Sequence, residues 1–120
     1  MKIASPIVGV GLDVVEMAQM RSARFKQRLA EYFLTPEEIQ AVPQGQKEVE
    51  HLASRFALKE AVIKAFPNTL KPHDFMIVKN NKKPDIVFTR REHTNYTALV
   101  SLTHTKHIAA AIAIVSCSTK

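Results

Sequence analysis

The chain has 120 residues, of which 46% are hydrophobic and 23% charged, a length for one domain spanning 1–120 with a modest core. Seventeen Lys and Arg against 11 Asp and Glu leave a net charge of +6, which favours an anionic partner: nucleic acid, a phosphorylated small molecule or an acidic protein. Aromatic residues at 7% with no Trp, and no Cys/His finger, RNP-type motif or Gly-x-x-Gly loop, argue against nucleic acid, and no apolar run is long enough to span a membrane. The single cysteine, Cys117, cannot form an internal disulfide and fits a reducing compartment. Asp13 and Glu16 break the apolar stretch behind Met1-Lys2, which argues against a signal peptide and for a cytoplasmic protein.

In chain order, residues 7–15 predict a buried strand. Val8, Val10, Leu12 and Val14 alternate onto one face, and Ile7, Gly9, Gly11, Asp13 and Val15 onto the other. Two of the three glycines lie here, leaving bare backbone beside a carboxylate. Residues 16–32 predict one basic helix mixing Met17, Met20, Phe25 and Leu29 with Arg21, Arg24, Lys26 and Arg28. Thr35-Pro36-Glu37-Glu38 is a helix start, with Thr as N-cap, Pro at the first helical position and Glu at the capping-box position. Pro43 and Gly45 end that short helix. Residues 49–66 predict the longest helix, stopped by Pro67-Asn68. Residues 74–79 and 85–89 form a predicted hairpin around Asn80-Asn81-Lys82-Lys83-Pro84. Residues 96–103 and 108–116 form a second pair. The last strand is apolar on both faces, which predicts a central position or a subunit interface. A strand, then helices, then several strands makes the fold class α+β.

Some residues could carry chemistry. Along the 49–66 helix, Leu52, Phe56, Ile63 and Phe66 share one side. Ala53, Ala57 and Ala61 share another, together with Glu60 and Lys64. The small residues leave room for another molecule or chain beside the charged pair; alternatively, Glu60 and Lys64 are an i,i+4 pair on a solvated face. Asp13, late in an apolar strand, must be hydrogen-bonded, bound to a cation or at the strand's exposed end.

Four segments together resemble a known family. Gly9-Val10-Gly11-Leu12-Asp13-Val14-Val15-Glu16 is similar to the opening motif of bacterial holo-acyl-carrier-protein synthases, and Leu34-Thr35-Pro36-Glu37-Glu38 to their helix start. The segment from Arg55 through Lys59-Glu60 and Lys64 to Phe66 resembles the central signature. Val100-Ser101-Leu102-Thr103-His104-Thr105-Lys106 resembles the C-terminal one. The motifs occur in family order and cover nearly the whole chain.

The resemblance implies a small α+β phosphopantetheinyl transferase fold and a homotrimer with sites between subunits. It also implies Mg2+-dependent transfer of phosphopantetheine from coenzyme A to a serine of an acidic acyl carrier protein, in support of fatty acid or lipid synthesis. By the same resemblance, Asp13 and Glu60 are the magnesium ligands, and Glu60 and Lys64 the catalytic residues. Arg55, Lys59, Lys64 and His104 bind coenzyme A, while Arg21, Arg24, Lys26 and Arg28 dock the carrier protein. No nucleic-acid or membrane partner is expected. The chain departs from the pattern in the turn Phe66-Pro67-Asn68-Thr69-Leu70-Lys71, in Lys82-Lys83-Pro84, in a short region before Val100, and at Ile108. A magnesium-dependent phosphohydrolase and a basic nucleic-acid-binding module are the rival readings.

Overall fold

The structure is a computed structural model and describes residues 6–22, 24 and 26–118. Strand β1 (Ile7–Glu16) leads into helix α1 (Met17–Arg21), followed by α2 (Lys26–Phe33), α3 (Pro36–Gln40) and the long α4 (Lys47–Ala65). A 3-10 turn (Pro72–Asp74) opens a hairpin of β2 (Phe75–Asn80) and β3 (Lys83–Phe88). A second 3-10 turn (Arg91–His93) precedes β4 (Tyr96–His104) and β5 (Ile108–Cys117). The α+β class is as expected.

The sheet of β1, β5 and β4 is antiparallel with β5 in the centre, where its two apolar faces were expected to put it. Leu12 pairs with Ile112 and Asp13 with Ala111 across β1 and β5. Helix α4 lies on one face of this sheet, which explains the glycines of β1. A Cβ on Gly9 would come within 1.7 Å of the Ala65 carbonyl oxygen, and one on Gly11 within 1.9 Å of that of Ala61. The bare backbone is therefore where strand and helix touch. The alanine stripe is the other half of the same contact. Ala53, Ala57, Ala61 and Ala65 are buried, as are Ala109, Ala111, Ala113 and Val115 of β5. Small residues on both surfaces let them approach closely, and that room is filled by the chain's own sheet.

The far side of α4 is covered as well. Leu58 and Val62 are fully buried, and Phe33 meets Phe56 edge-on with ring centroids 4.9 Å apart. A helix apolar on several sides is a core helix. Around its C-terminus, Phe66 packs against Phe88, His93 and Tyr96.

Two expectations need correction. The basic segment is not one helix: α1 ends at Arg21, Ser22 caps it with its hydroxyl on the Gln19 carbonyl, and α2 starts at Lys26. Met17 and Met20 are buried on α1, Ala30 and Phe33 on α2. On a continuous helix, at 100° per residue, Met17 and Ala30 would point about 140° apart, so a break is needed to bury both. Phe25, placed in that helix by the sequence, lies outside the described residues. The second correction concerns β1, whose valine-rich face is the outward one. Val10, Leu12 and Val14 are 60%, 61% and 56% exposed, while Gly11 and Val15 are buried against the core.

The expected helix start at α3 is present in full. Thr35 Oγ1 accepts from the Glu38 N–H, and Glu38 Oε1 accepts from the Thr35 N–H. Such a cap stabilises a helix by roughly 1 kcal/mol.

Candidate active site

The residues expected to carry chemistry fall into three places. The first is the crossing of β1 and α4. Asp13 extends from the helix-facing side of β1, and Lys64 from α4 reaches back to it. The Lys64 Nζ donates to Asp13 Oδ1 at 2.9 Å and to the Leu12 carbonyl at 3.2 Å. The Asp13 hydrogen bond and charge raise the Lys64 pKa above the ordinary lysine value, and the Glu60 carboxylate adds to the rise. Lys64 thus sits in the field of both carboxylates. Its side chain is half exposed, whereas that of Asp13 is mostly covered.

The carboxylates of Asp13 and Glu60 offer the hard oxygen donors that Mg2+ prefers, and Mg2+ commonly takes one or two carboxylates plus waters and substrate phosphate oxygens. Among the described residues no cluster of three or more His, Cys, Asp or Glu could hold a metal by itself. The donor set therefore fits a cation shared with a substrate, and does not fit a closed structural metal site.

The second place is an open groove of about 410 Å3 between α4, the β2–β3 hairpin and the end of β4. Arg55 and His104 line it, brought together from α4 and β4. Lys47, Lys79 and Lys82 complete a basic wall that the sequence motifs did not single out. Burial lowers the Arg55 pKa, and the charge of Glu38 opposes this. His104 Nε2 lies 2.8 Å from Glu50 Oε2. Half-buried His51 also lines the groove. Burial, then the charges of Arg55 and Lys79, lower its pKa from 6.5 to about 4, so its imidazole is neutral near pH 7. Arg55 precedes Glu60 on α4 by five residues, a helical rise of about 7.5 Å and a turn of about 140° round the axis, so the groove and the carboxylates share the helix but not one face of it.

The hairpin that supplies Lys79, Lys82 and Pro84 turns through Asn81 and Lys82, with φ of 53° and 69°. Asn80 pairs with Lys83, so this is a two-residue turn with both central residues left-handed. Asn tolerates that conformation; for Lys it is strained.

The third place is occupied by Lys59, which must be removed from the expected coenzyme A contacts. It is fully buried. Its Nζ donates to the carbonyls of Pro72 at 2.6 Å and Phe75 at 2.7 Å, and lies 3.0 Å from Glu38 Oε1. Three ammonium donors facing three oxygens leave nothing for a phosphate. Burial lowers the Lys59 pKa, while the charge and hydrogen bond of Glu38 act against that. The helical spacing that put Lys59 next to Glu60 said nothing of its direction, which is toward β2 and away from the groove.

Of the basic residues expected to meet a carrier protein, Arg21, Arg24 and Arg28 are exposed. Lys26 is half-buried and lies 3.5 Å from Glu48 of α4. They spread over the end of α1, the break and α2 instead of one helical face.

The model of the 4′-phosphopantetheinyl transferase superfamily matches residues 9–114. The chain belongs to this superfamily and is a transferase. Similar proteins within it include bacterial holo-[acyl-carrier-protein] synthases. That of Bacillus subtilis is 38% identical over 117 residues, covering 91% of this chain and 95% of the relative. That of Desulfovibrio desulfuricans is 48% identical over 61 residues, so the matched stretch spans about half of each chain (49% and 48%). Among solved structures, the Helicobacter pylori holo-[acyl-carrier-protein] synthase in complex with coenzyme A superimposes with a TM-score of 0.75 at 30% identity, covering 89% of this chain and 99% of that one. No helix among the described residues is long and apolar enough to cross a membrane.

Proposed function

We propose that this chain transfers the 4′-phosphopantetheine arm of coenzyme A to a serine of an apo acyl carrier protein in a Mg2+-dependent reaction, releasing adenosine 3′,5′-bisphosphate. The observation that carries this reading is a basic groove lined by Arg55, His104 and three lysines on a chain whose α4 also carries Glu60 and Lys64, the latter paired with Asp13. A ligand with phosphates at both ends of a nucleotide needs such an arrangement. Arg55, Lys47, Lys79, Lys82 and His104 hold the 3′-phosphorylated nucleotide, and the pyrophosphate reaches the carboxylates. Asp13 and Glu60 would hold the Mg2+, which when bound offsets charge on the pyrophosphate.

The protein's own share is positioning and electrostatics. Lys64, held as an ammonium by Asp13, is placed to stabilise the departing bisphosphate oxygen. Glu60 is the base that takes the proton of the attacking serine hydroxyl. As that oxygen bonds to the β-phosphorus, the bond from this phosphorus to the bridging oxygen breaks. Arg21, Arg24 and Arg28 give the acidic carrier protein a basic approach. The setting is the cytoplasm, and the product serves fatty acid or lipid synthesis.

The intact mass of an apo carrier protein tests the reading after incubation with this protein, coenzyme A and Mg2+. A gain of about 340 Da, expected for one transferred arm, should vanish with EDTA and with Asp13→Ala or Glu60→Ala. Release of phosphopantetheine to water with no carrier modified would favour a phosphohydrolase instead.

We also propose a homotrimer. The sheet face opposite α4 carries Val8, Val10, Leu12, Val14, Leu99 and Ile112, all exposed in the single chain. An apolar face this continuous belongs in an interface. Leu12→Arg should shift the sedimentation coefficient from that of a trimer to that of a monomer; a wild-type monomer at micromolar concentration would refute the assembly.

A further inference from the structure

The buried pair Glu38–Lys59 lies between two surfaces that form the groove. On one side is α4, which carries Lys47 and Arg55. On the other is β2, whose hairpin with β3 carries Lys79, Lys82 and Pro84. Strand β2 is hydrogen-bonded to β3 only, so its other edge has backbone groups that need partners. The ion pair supplies them. Lys59 Nζ donates to the Phe75 carbonyl at 2.7 Å, and Glu38 Oε2 accepts from the Ile77 N–H. Two side chains thus do for β2 what a neighbouring strand would do. Lys59 also lies over the Phe75 ring, 4.3 Å from its centroid, and its third bond goes to Pro72 at the hairpin's entry. Glu38, locked by the Thr35 capping box, ties the same node to α3.

We infer that Glu38 and Lys59 are positioning residues for coenzyme A: together they fix the distance between the hairpin wall of the groove and the α4 wall. This rests on the reading of the groove as the coenzyme A site. Neither side chain faces the ligand, and the pair acts through the backbone of β2. A small displacement of one phosphate-binding wall from the other weakens every contact that needs both.

The test separates positioning from stability. Removing one charge leaves the other buried and unpaired, whereas replacing both with neutral side chains of similar size is often tolerated. The double variant Glu38→Gln/Lys59→Met should therefore fold, while its KM for coenzyme A rises about ten-fold and its KM for carrier protein stays unchanged. A second variant, Glu38→Asp, keeps the charge but is one methylene too short to reach Thr35, Lys59 and Ile77 together. It should show the same selective rise. Val115→Ala, in the core of β5, is the control for a comparable fall in melting temperature, with its coenzyme A KM unchanged. A wild-type KM in either folded Glu38 variant would overturn the inference, as would equal rises for both substrates or the same rise in Val115→Ala. Wild-type protein that neither binds nor consumes coenzyme A would instead overturn the proposed function.

Discussion

Helix α4 carries two lysines in one motif, each beside a carboxylate, and they have opposite fates. Lys59 meets Glu38 with side chains 0% and 6% exposed; Lys64 meets Asp13 at nearly the same distance with side chains 52% and 15% exposed. The first pair is out of water, and every donor and acceptor is assigned to backbone or partner. The second has water around the ammonium and room for an anion. Pairing distance does not separate a buried salt bridge from an exposed one. What separates them is how much of the hydrogen-bonding capacity is already spent.

The largest effect should come from breaking the buried pair alone. Lys59→Met leaves Glu38 charged and uncompensated, which costs about 3–5 kcal/mol, a large share of the stability of a domain this size. Urea denaturation should show the midpoint collapse with little change in slope. The matching change at the exposed pair, Lys64→Met, should alter stability by no more than about 1 kcal/mol. Its effect should appear in kcat, with a fall of about 10²–10³-fold by the mass assay. If the two variants exchanged effects, the distinction drawn here would fail.

A third basic group on the same helix sharpens the comparison with the smallest effect. His51 titrates near 6.5 when unfolded but at about 4 in the fold. Between those values the unfolded chain binds the extra proton, so stability falls as pH drops from about 6.5 toward 4. His51→Gln should flatten that part of the melting-temperature profile and leave the profile above pH 7 in place. An unchanged slope in the variant would mean that other groups carry the acid sensitivity.

Local patterns were readable from sequence, and contacts between distant segments were not. Thr35-Pro36-Glu37-Glu38 specified its own capping box because all the partners lie within one turn. The second role of Glu38 joins it to Lys59 of α4 and to Ile77 of β2, and no periodicity records that. The resemblance puts Asp13, Glu60 and Lys64 in one site; the fold brings Asp13 and Lys64 into contact, and helical spacing keeps Glu60 one turn from Lys64. The alanines and glycines were recognised as room for a close approach, but composition cannot say what approaches. Here it is the chain's own helix and sheet. The basic wall at Lys47, Lys79 and Lys82 stayed hidden because three separate elements supply it. The break between α1 and α2 was missed because one basic run masked two different buried faces.

Strand β1 has a distinct consequence for how the chain can vary in length. Leu12 and Asp13 are adjacent, yet they face opposite sides of the sheet. Deleting or inserting one residue ahead of them would exchange these faces along the rest of the strand. The carboxylate would enter the apolar surface, a leucine or valine would stand beside Glu60, and a side chain would replace a glycine against Ala61 or Ala65. Three failures would follow from one lost codon. The exposed turn at Asn81 and Lys82 carries no such coupling. The fold should therefore tolerate insertions at the hairpin tip, at the cost of moving Lys82 in the groove wall, and should not survive them within β1.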